Sequence, residues 1–242
     1  MEKLGAVILI TGLAGIGGTG LGGTMGGLFR RDSRRMVSLL LSFAAGVMVA
    51  VVCFDLLAEA AAPGKLFPVA AGILAGYGVT AGLDFLLERG RRQQRGGLIL
   101  AGVVMAAAIA LHNVPEGMVI GASFAGGAAG SGWTMAAVIG LHNIPEGMAV
   151  AVPLVAGGER RSRAAGLAAL TGTPTVLGAV VGYCLGTMGP LMLTAALSFA
   201  SGAMLYVVFG ELLPEAMELW KSRVPALTAV VGMVVGLVIT QG

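Results

Sequence analysis

The chain has 242 residues, of which 57% are hydrophobic and only 11% are charged, with a formal net charge of +3. A soluble domain of this size carries about 25% charged residues, so the composition excludes a soluble globular protein and predicts a polytopic membrane protein. The small positive charge does not indicate nucleic-acid binding, because the basic residues collect in short connections between apolar segments.

Eight apolar segments follow one another along the chain, each close to the roughly 20 residues that a membrane-spanning helix needs. They lie near residues 5–28, 37–60, 66–87, 98–123, 132–155, 164–186, 190–216 and 225–241. The first could pass for a signal peptide, but it lacks a clear cleavage site and we interpret it as a span. We therefore expect an all-α protein in which residues 1–242 form a single transmembrane domain.

The basic residues lie on one side of the predicted membrane. An even number of spans puts the connections 1–2, 3–4, 5–6 and 7–8 on the same side, and these hold 13 of the 15 Lys and Arg residues. They are Arg30, Arg31, Arg34, Arg35, Arg89, Arg91, Arg92, Arg95, Arg160, Arg161, Arg163, Lys221 and Arg223. The positive-inside rule places these connections in the cytoplasm and both termini outside, in a cell inner (plasma) membrane.

Spans 2 and 7 are similar in sequence. The segment "FAAGVMVAVVCFDLLAEA" (43–60) aligns without gaps to "FASGAMLYVVFGELLPEA" (199–216), with 10 of 18 positions identical. The acids match as well, Asp55 with Glu211 and Glu59 with Glu215. Since the two spans cross the membrane in opposite directions, the alignment predicts an inverted repeat, which is typical of secondary transporters.

Spans 4 and 5 repeat a polar motif within apolar surroundings, "LHNVPEGM" at 111–118 and "LHNIPEGM" at 141–148. In each copy the His and the Glu are four residues apart and share a helix face. Pro115 and Pro145 remove a backbone N–H, which favours a kink and a cavity near mid-membrane. These spans also run in opposite directions, so a two-fold axis in the membrane plane brings the two motifs face to face.

The repeated motif predicts a binding site for a divalent cation. A glutamate at the bilayer centre costs at least about 2.5 kcal/mol, and two facing glutamates also repel each other unless a cation or protons neutralise them. Two imidazoles, two carboxylates and two amide oxygens suit Zn²⁺ best, with Fe²⁺, Mn²⁺, Co²⁺ and Cd²⁺ as further candidates. The alternative is a polar cluster in which Asn and His only join the two helices.

Paired HNxPEG motifs on adjacent helices, in an eight-span chain with outside termini, resemble the ZIP (Zrt/Irt-like) metal transporters, and in particular their bacterial, GufA-like branch. The resemblance covers the whole chain. It implies that spans 1–3 and 6–8 are related by pseudo-symmetry around spans 4 and 5. It further implies import of a metal ion into the cytoplasm and dimerisation in the lipid bilayer, without an organic cofactor and without enzyme activity.

When the family's ligand positions are transferred to the matching motif residues, the resemblance implies a main metal site of His112, Glu116, His142 and Glu146. The two glutamates would bridge toward a second metal beside Asn113 and Asn143. Met48 of span 2 matches a position at which the family can place a thioether ligand, and ordinary packing is the alternative for this residue.

The chain departs from the family pattern on span 6. Relatives often have an "SGxxEPxG"-like stretch there, whereas this chain has "TGTPTVLG" at 171–178. Thr175 takes the place of the glutamate, so we expect one tightly bound metal ion and at best one weakly bound one. The connection between spans 3 and 4, often long and rich in histidine in relatives, is here only "ERGRRQQRG" (88–96).

Acidic residues near the ends of three spans suggest a route for the cation. They are Asp55 and Glu59 at the outer end of span 2, Glu211 and Glu215 at the inner end of span 7, and Asp84 and Glu88 at the inner end of span 3. The alternative is that they pair with loop arginines at the membrane interface. A passive metal channel and an intramembrane zinc hydrolase remain rival functions, and the hydrolase fits less well because Asn directly follows each His where HExxH has its general base.

Overall fold

The computed structural model describes residues 2–28, 34–62, 64, 66–91, 98–126 and 130–241, without the side chains of 2, 87–91, 101 and 241. All regular secondary structure in these ranges is helical. Eight helices follow one another: α1 (Lys3–Gly26), α2 (Arg34–Ala61), α3 (Leu66–Arg91), α4 (Leu98–Gly126), α5 (Ser131–Ala156), α6 (Arg161–Thr187), α7 (Pro190–Leu219) and α8 (Val224–Gln241).

The prediction of an all-α, polytopic membrane protein is confirmed. Seven of the described helices are long and apolar enough to cross a membrane, and the apolar part of the eighth, Val224–Thr240, is slightly shorter. The observed ends lie within a few residues of the predicted ones, because several helices continue past the apolar run into a charged turn, as α2 and α6 do at Arg34 and Arg161. Of the basic loop residues, Arg30, Arg31, Arg92 and Arg95 lie outside the described residues.

The helices pack in pairs that repeat between the two halves of the chain. Helix α1 packs along α5 while α6 packs along α4, and α2 packs along α8 while α7 packs along α3. Helices α4 and α5, which carry the two polar motifs, pack against each other. The motifs therefore lie between the two halves, as an inverted repeat around spans 4 and 5 requires.

Glycines form the closest contacts of this packing. Two of them, Gly46 and Gly202, occupy matching positions in the alignment of 43–60 with 199–216. A Cβ on Gly46 of α2 would lie 1.9 Å from the Ala229 carbonyl oxygen, and one on Gly202 of α7 would lie 2.0 Å from that of Ile73. Small residues let helix backbones approach this closely in lipid.

Both helices of the repeat contain a widened, π-helical turn at the same place. The turn covers Val52–Leu56 in α2 and Val207–Leu212 in α7, and it includes Asp55 and Glu211 respectively. Such turns are frequent at functional sites. Helices α4 and α5 instead continue without interruption through Pro115 and Pro145.

The glycine contacts predict which small residues the packing needs. Gly202→Ala should destabilise the bundle by about 1–3 kcal/mol, because its Cβ would collide with the α3 backbone. Gly78→Ala on α3 is the matched control, since nothing lies within 4 Å of the added atom. Thermal stability of the detergent-purified protein, followed by size-exclusion chromatography, tests this. Equal stability of the two variants would contradict the packing argument.

Candidate metal centre

Three residues of the two motifs converge between α4 and α5. Each of Glu116, His142 and Glu146 offers a ligand atom, and these atoms lie within 4.8 Å of one another. The His142 Nε2–H donates to Glu116 Oε1 at 2.9 Å. Glu116 and Glu146 have no solvent exposure, and His142 is also buried. We call these three residues the central cluster.

The central cluster has more negative charge than its neighbours compensate. Neither carboxylate oxygen of Glu146 accepts a hydrogen bond from a described residue, and the same is true of His142 Nδ1. A buried carboxylate without a partner is costly, and a second carboxylate beside it adds repulsion. A divalent cation removes both costs, because it supplies the missing positive charge and accepts the unpaired lone pairs.

His112 does not join the central cluster, although its motif position is equivalent to that of His142. Its Nδ1–H donates to the Ala108 carbonyl at 2.7 Å, and its Nε2 lies 3.3 Å from Oε2 of Glu211 on α7. The structure therefore brings together three of the four residues implied for the main site. The fourth lies beside a residue of the predicted route.

The two asparagines of the motifs are fully buried and differ in their contacts. Asn113 Nδ2 donates to the Thr171 carbonyl of α6 at 2.7 Å. In the amide orientation that satisfies both atoms, Asn143 Nδ2 donates to the Ile139 carbonyl at 3.2 Å and to Glu116 Oε2 at 3.1 Å. Asn143 thus supports the central cluster through its nitrogen.

A cavity of about 280 Å³ leads away from His112 and Glu211. Besides these two residues its charged lining consists of Asp84, Glu215 and Glu218. Asp84 is buried and accepts a hydrogen bond from the Tyr206 hydroxyl at 2.8 Å. A second cavity of about 300 Å³ shares Glu215 and Glu218 with the first and extends to Arg34 at the start of α2. We call the two together the acidic vestibule.

The remaining predicted residues lie elsewhere. Met48 is fully buried in the hydrophobic core, and Thr175 is buried where α6 meets α1 and α4. Asp55 and Glu59 are partly exposed on α2 and line neither cavity of the acidic vestibule. The side chain of Glu88 lies outside the described part of the chain.

Sequence reasoning missed three functional candidates. Glu218 follows Glu211 and Glu215 at a spacing of seven and three residues, which a search for a common helix face would have found. The pairing of Tyr206 with Asp84 joins residues far apart in the chain, and nothing in the sequence marks it. The Thr171 carbonyl is a backbone group, so no side-chain pattern points to it.

The chain is similar to known transporters along its whole length. The family described as "ZIP Zinc transporter" matches residues 88–241. The Zinc transporter ZupT of Chlorobium luteolum is 34% identical over 99% of this chain and 97% of that protein. The Zinc transporter ZIPB of Bordetella bronchiseptica is 34% identical over 86% of this chain and 72% of its own length. The Zinc transporter GufA of Myxococcus xanthus is 44% identical over 45% of this chain and 43% of its own length.

The central cluster predicts that Glu146 dominates cation affinity. Glu146→Gln should raise the Kd for Zn²⁺ about 100-fold or more, because losing one partner of a buried ion pair costs 3–5 kcal/mol. Glu159→Gln is the matched control, since Glu159 lies outside the central cluster, where it pairs with the exposed Arg163 at 3.2 Å and accepts from the Arg160 backbone N–H at 3.1 Å. Calorimetry on detergent-purified protein measures both. An unchanged Kd in Glu146→Gln would remove Glu146 from the site.

Proposed function

The chain belongs to the ZIP zinc transporter family, and from this we propose that it carries Zn²⁺ across a cell inner membrane into the cytoplasm. The central cluster of Glu116, His142 and Glu146 is the binding site at the middle of the route. The observation that carries the proposal is the buried carboxylate of Glu146, which has no hydrogen-bond partner among the described residues. A cation is the simplest group to complete such a site within an apolar bundle.

The ligand types favour zinc as the transported ion. An imidazole with two carboxylates is a frequent zinc ligand set, whereas Mg²⁺ and Ca²⁺ prefer oxygen ligands alone and Cu⁺ prefers thiolates. All three relatives described above are named zinc transporters. Fe²⁺, Mn²⁺, Co²⁺ and Cd²⁺ accept the same ligands and are further candidate substrates.

His112 and Glu211 form the next step of the proposed route. Since His112 Nδ1 carries its proton toward Ala108, its Nε2 offers a lone pair, as does the Glu211 carboxylate 3.3 Å away. A cation that leaves the central cluster can bind between these two groups. From there it reaches the acidic vestibule, where Asp84, Glu215 and Glu218 supply further oxygen ligands.

The described structure corresponds to an inward-facing state in this proposal. The acidic vestibule reaches Arg34 at the start of α2, which the positive-inside rule puts on the cytoplasmic side. At the opposite end, the packed core around Met48, Val52 and Leu56 is fully buried and blocks the way. Asp55, the repeat counterpart of Glu211, then lies at the outer end with Glu59, where the two form the entrance.

We infer that the chain is a carrier and not a passive channel. An inverted repeat with access to its central site from one end only is the arrangement that alternating access requires. Saturating uptake kinetics distinguish a carrier from a channel. We further propose that residues 1–242 act as one transmembrane domain, that both termini lie outside the cytoplasm, and that two copies associate in the lipid bilayer.

We propose a single tightly bound zinc ion. Thr175 supplies no charge where relatives have a carboxylate, and its hydroxyl has no hydrogen-bond partner among the described residues. A second cation would have to share the two glutamates of the central cluster without an additional anion. Calorimetric or anomalous-scattering evidence for two equally tight ions would contradict this.

Transport should depend on the two buried glutamates together. Zinc uptake by proteoliposomes should fall close to background in the Glu116→Ala/Glu146→Ala variant, because no anionic ligand then remains in the central cluster. Glu159→Ala is the surface control and should match the parent chain at equal reconstitution. Parent-like uptake by the double variant would overturn the proposed function.

The two ends of the route should differ in their kinetics. Asp55→Asn should raise the KM for external Zn²⁺ several-fold with little change in the maximal rate, because it weakens capture at the entrance. Glu211→Gln should instead lower the maximal rate, because release past His112 becomes slow. Initial-rate measurements over a range of zinc concentrations separate the two effects. If both variants transport like the parent chain, these carboxylates only anchor the helices at the interface.

A further inference from the structure

A hydrogen-bonded pair of side chains joins α3 and α7 at the wall of the acidic vestibule. The Tyr206 hydroxyl of α7 donates to Asp84 Oδ2 of α3 at 2.8 Å. Asp84 lines the cavity together with Glu211, whereas Tyr206 lies outside the described lining. The tyrosine therefore acts on a cation in this cavity only through the residues that it contacts.

The Tyr206 ring is held on two sides. Tyr77 of α3 contacts it edge-on, with ring centroids 5.2 Å apart and an interplanar angle of 83°. On α7 itself the ring lies over Gly210, where an added Cβ would be only 3.1 Å from the nearest ring atom. Tyr77 and Asp84 are seven residues apart on α3, so they lie on the same face two turns from each other. A ring held in this way directs its hydroxyl at Asp84 without further loss of side-chain freedom.

The corresponding turn of α2 has the opposite arrangement of residues. In the alignment of 43–60 with 199–216, Ala50 takes the place of Tyr206 and Phe54 takes the place of Gly210. Ala50 is fully buried, and Phe54 is exposed on the surface of the bundle. The aromatic ring of the α2 turn therefore replaces neither the position nor the hydroxyl of Tyr206.

The carboxylate of the pair has no counterpart either. Gly76 of α3 and Gly232 of α8 contact the carbonyl oxygens of the two aligned phenylalanines of α7 and α2, which fixes the register between α3 and α8. In this register Thr240 of α8 corresponds to Asp84. The pair is thus a departure from the pseudo-symmetry, and it belongs to the acidic vestibule alone.

A hydrogen bond to Asp84 weakens this carboxylate as a ligand for a cation. A hydroxyl that donates to a carboxylate forms a charge-assisted bond, which is stronger than a bond between neutral groups. A cation that binds the same oxygen must displace this hydroxyl. In a buried site a carboxylate free of such a bond attracts a divalent cation strongly and retains it. At the release end of a transport route, retention of the cation slows every cycle.

We propose that Tyr206 is a positioning residue for release: it restrains Asp84 and keeps it a weak ligand, so that the cation leaves the acidic vestibule. This inference rests on the proposed function, because it concerns the release end of the same route. It assigns a role to a side chain that does not itself bind the cation, and it explains why the pair occurs at one end of the bundle only.

A binding experiment separates the acidic vestibule from the central cluster. It uses the full chain with Glu116→Ala/Glu146→Ala, purified in detergent and titrated with Zn²⁺ by calorimetry. Addition of Tyr206→Phe should lower the Kd about 10-fold, because Zn²⁺ no longer competes with a hydrogen bond to a charged group. Further addition of Asp84→Asn should abolish this tightening. Tyr77→Phe is the matched control and should leave the Kd unchanged, since it removes the same atom from the neighbouring ring.

A transport experiment tests the same role with the central cluster intact. In zinc uptake by proteoliposomes, Tyr206→Phe should lower the maximal rate several-fold and leave the KM for external Zn²⁺ unchanged, because the cation stays longer at the release end. In an Asp84→Asn chain, Tyr206→Phe should have no further effect on the rate. A tyrosine that only supports the packing of α3 and α7 would lower the rate in both chains and would weaken zinc binding.

Three results would overturn the inference. The first is a Kd that rises or stays the same in the Tyr206→Phe variant, including the case in which that variant shows no measurable binding. The second is tightening that persists after Asp84→Asn, and the third is equal tightening by Tyr77→Phe. Failure of the parent chain to take up Zn²⁺ would instead overturn the proposed function, and the binding experiment, which needs no transport, would still decide the role of Tyr206.

Discussion

The burial of two carboxylates between apolar helices is the constraint on which the rest of this structure depends. Neither Glu116 nor Glu146 is exposed, and the His142 imidazole lies within hydrogen-bond distance of Glu116 Oε1. An apolar bundle tolerates such a pair only when a cation is bound or when protons neutralise it. Close glycine contacts keep the helices in place around the pair, so that the unfavourable charges cannot be relieved by separation of α4 and α5.

The pseudo-symmetry of the bundle makes its departures from symmetry informative. His112 and His142 have the same motif context, yet one contacts Glu211 and the other contacts Glu116. The acidic vestibule reaches the first histidine, and close packing surrounds the second. Two nearly identical motifs therefore sit in different environments, and the difference identifies the open end of the molecule.

The sequence predicts the helices and the polar motif well, because both depend on local patterns. Long apolar runs set the spans, and the four-residue spacing of His112 and Glu116 puts them on one helix face. Other features need the packed structure. The widened turn at Val207–Leu212 contains Glu211, and no residue pattern indicates it. The orientation of the Asn113 amide depends on a backbone carbonyl of the neighbouring helix α6, which the sequence does not mark.

The hydrogen-bond partner of Asn113 on α6 is a main-chain oxygen, and this determines which substitutions can remove the hydrogen bond. Replacement of Thr171 by another residue leaves that oxygen in place, so a substitution at position 171 does not remove the hydrogen-bond acceptor of the Asn113 amide. The acceptor is lost when α6 closes into a continuous helix at this point, and Pro174, which has no N–H, lies in the first turn of its second part. Gly172 is constrained separately, because a Cβ there would lie 2.4 Å from the Gly15 backbone. The hydrogen bond that orients the Asn113 amide therefore depends on the backbone path of α6 and not on the side chain at position 171.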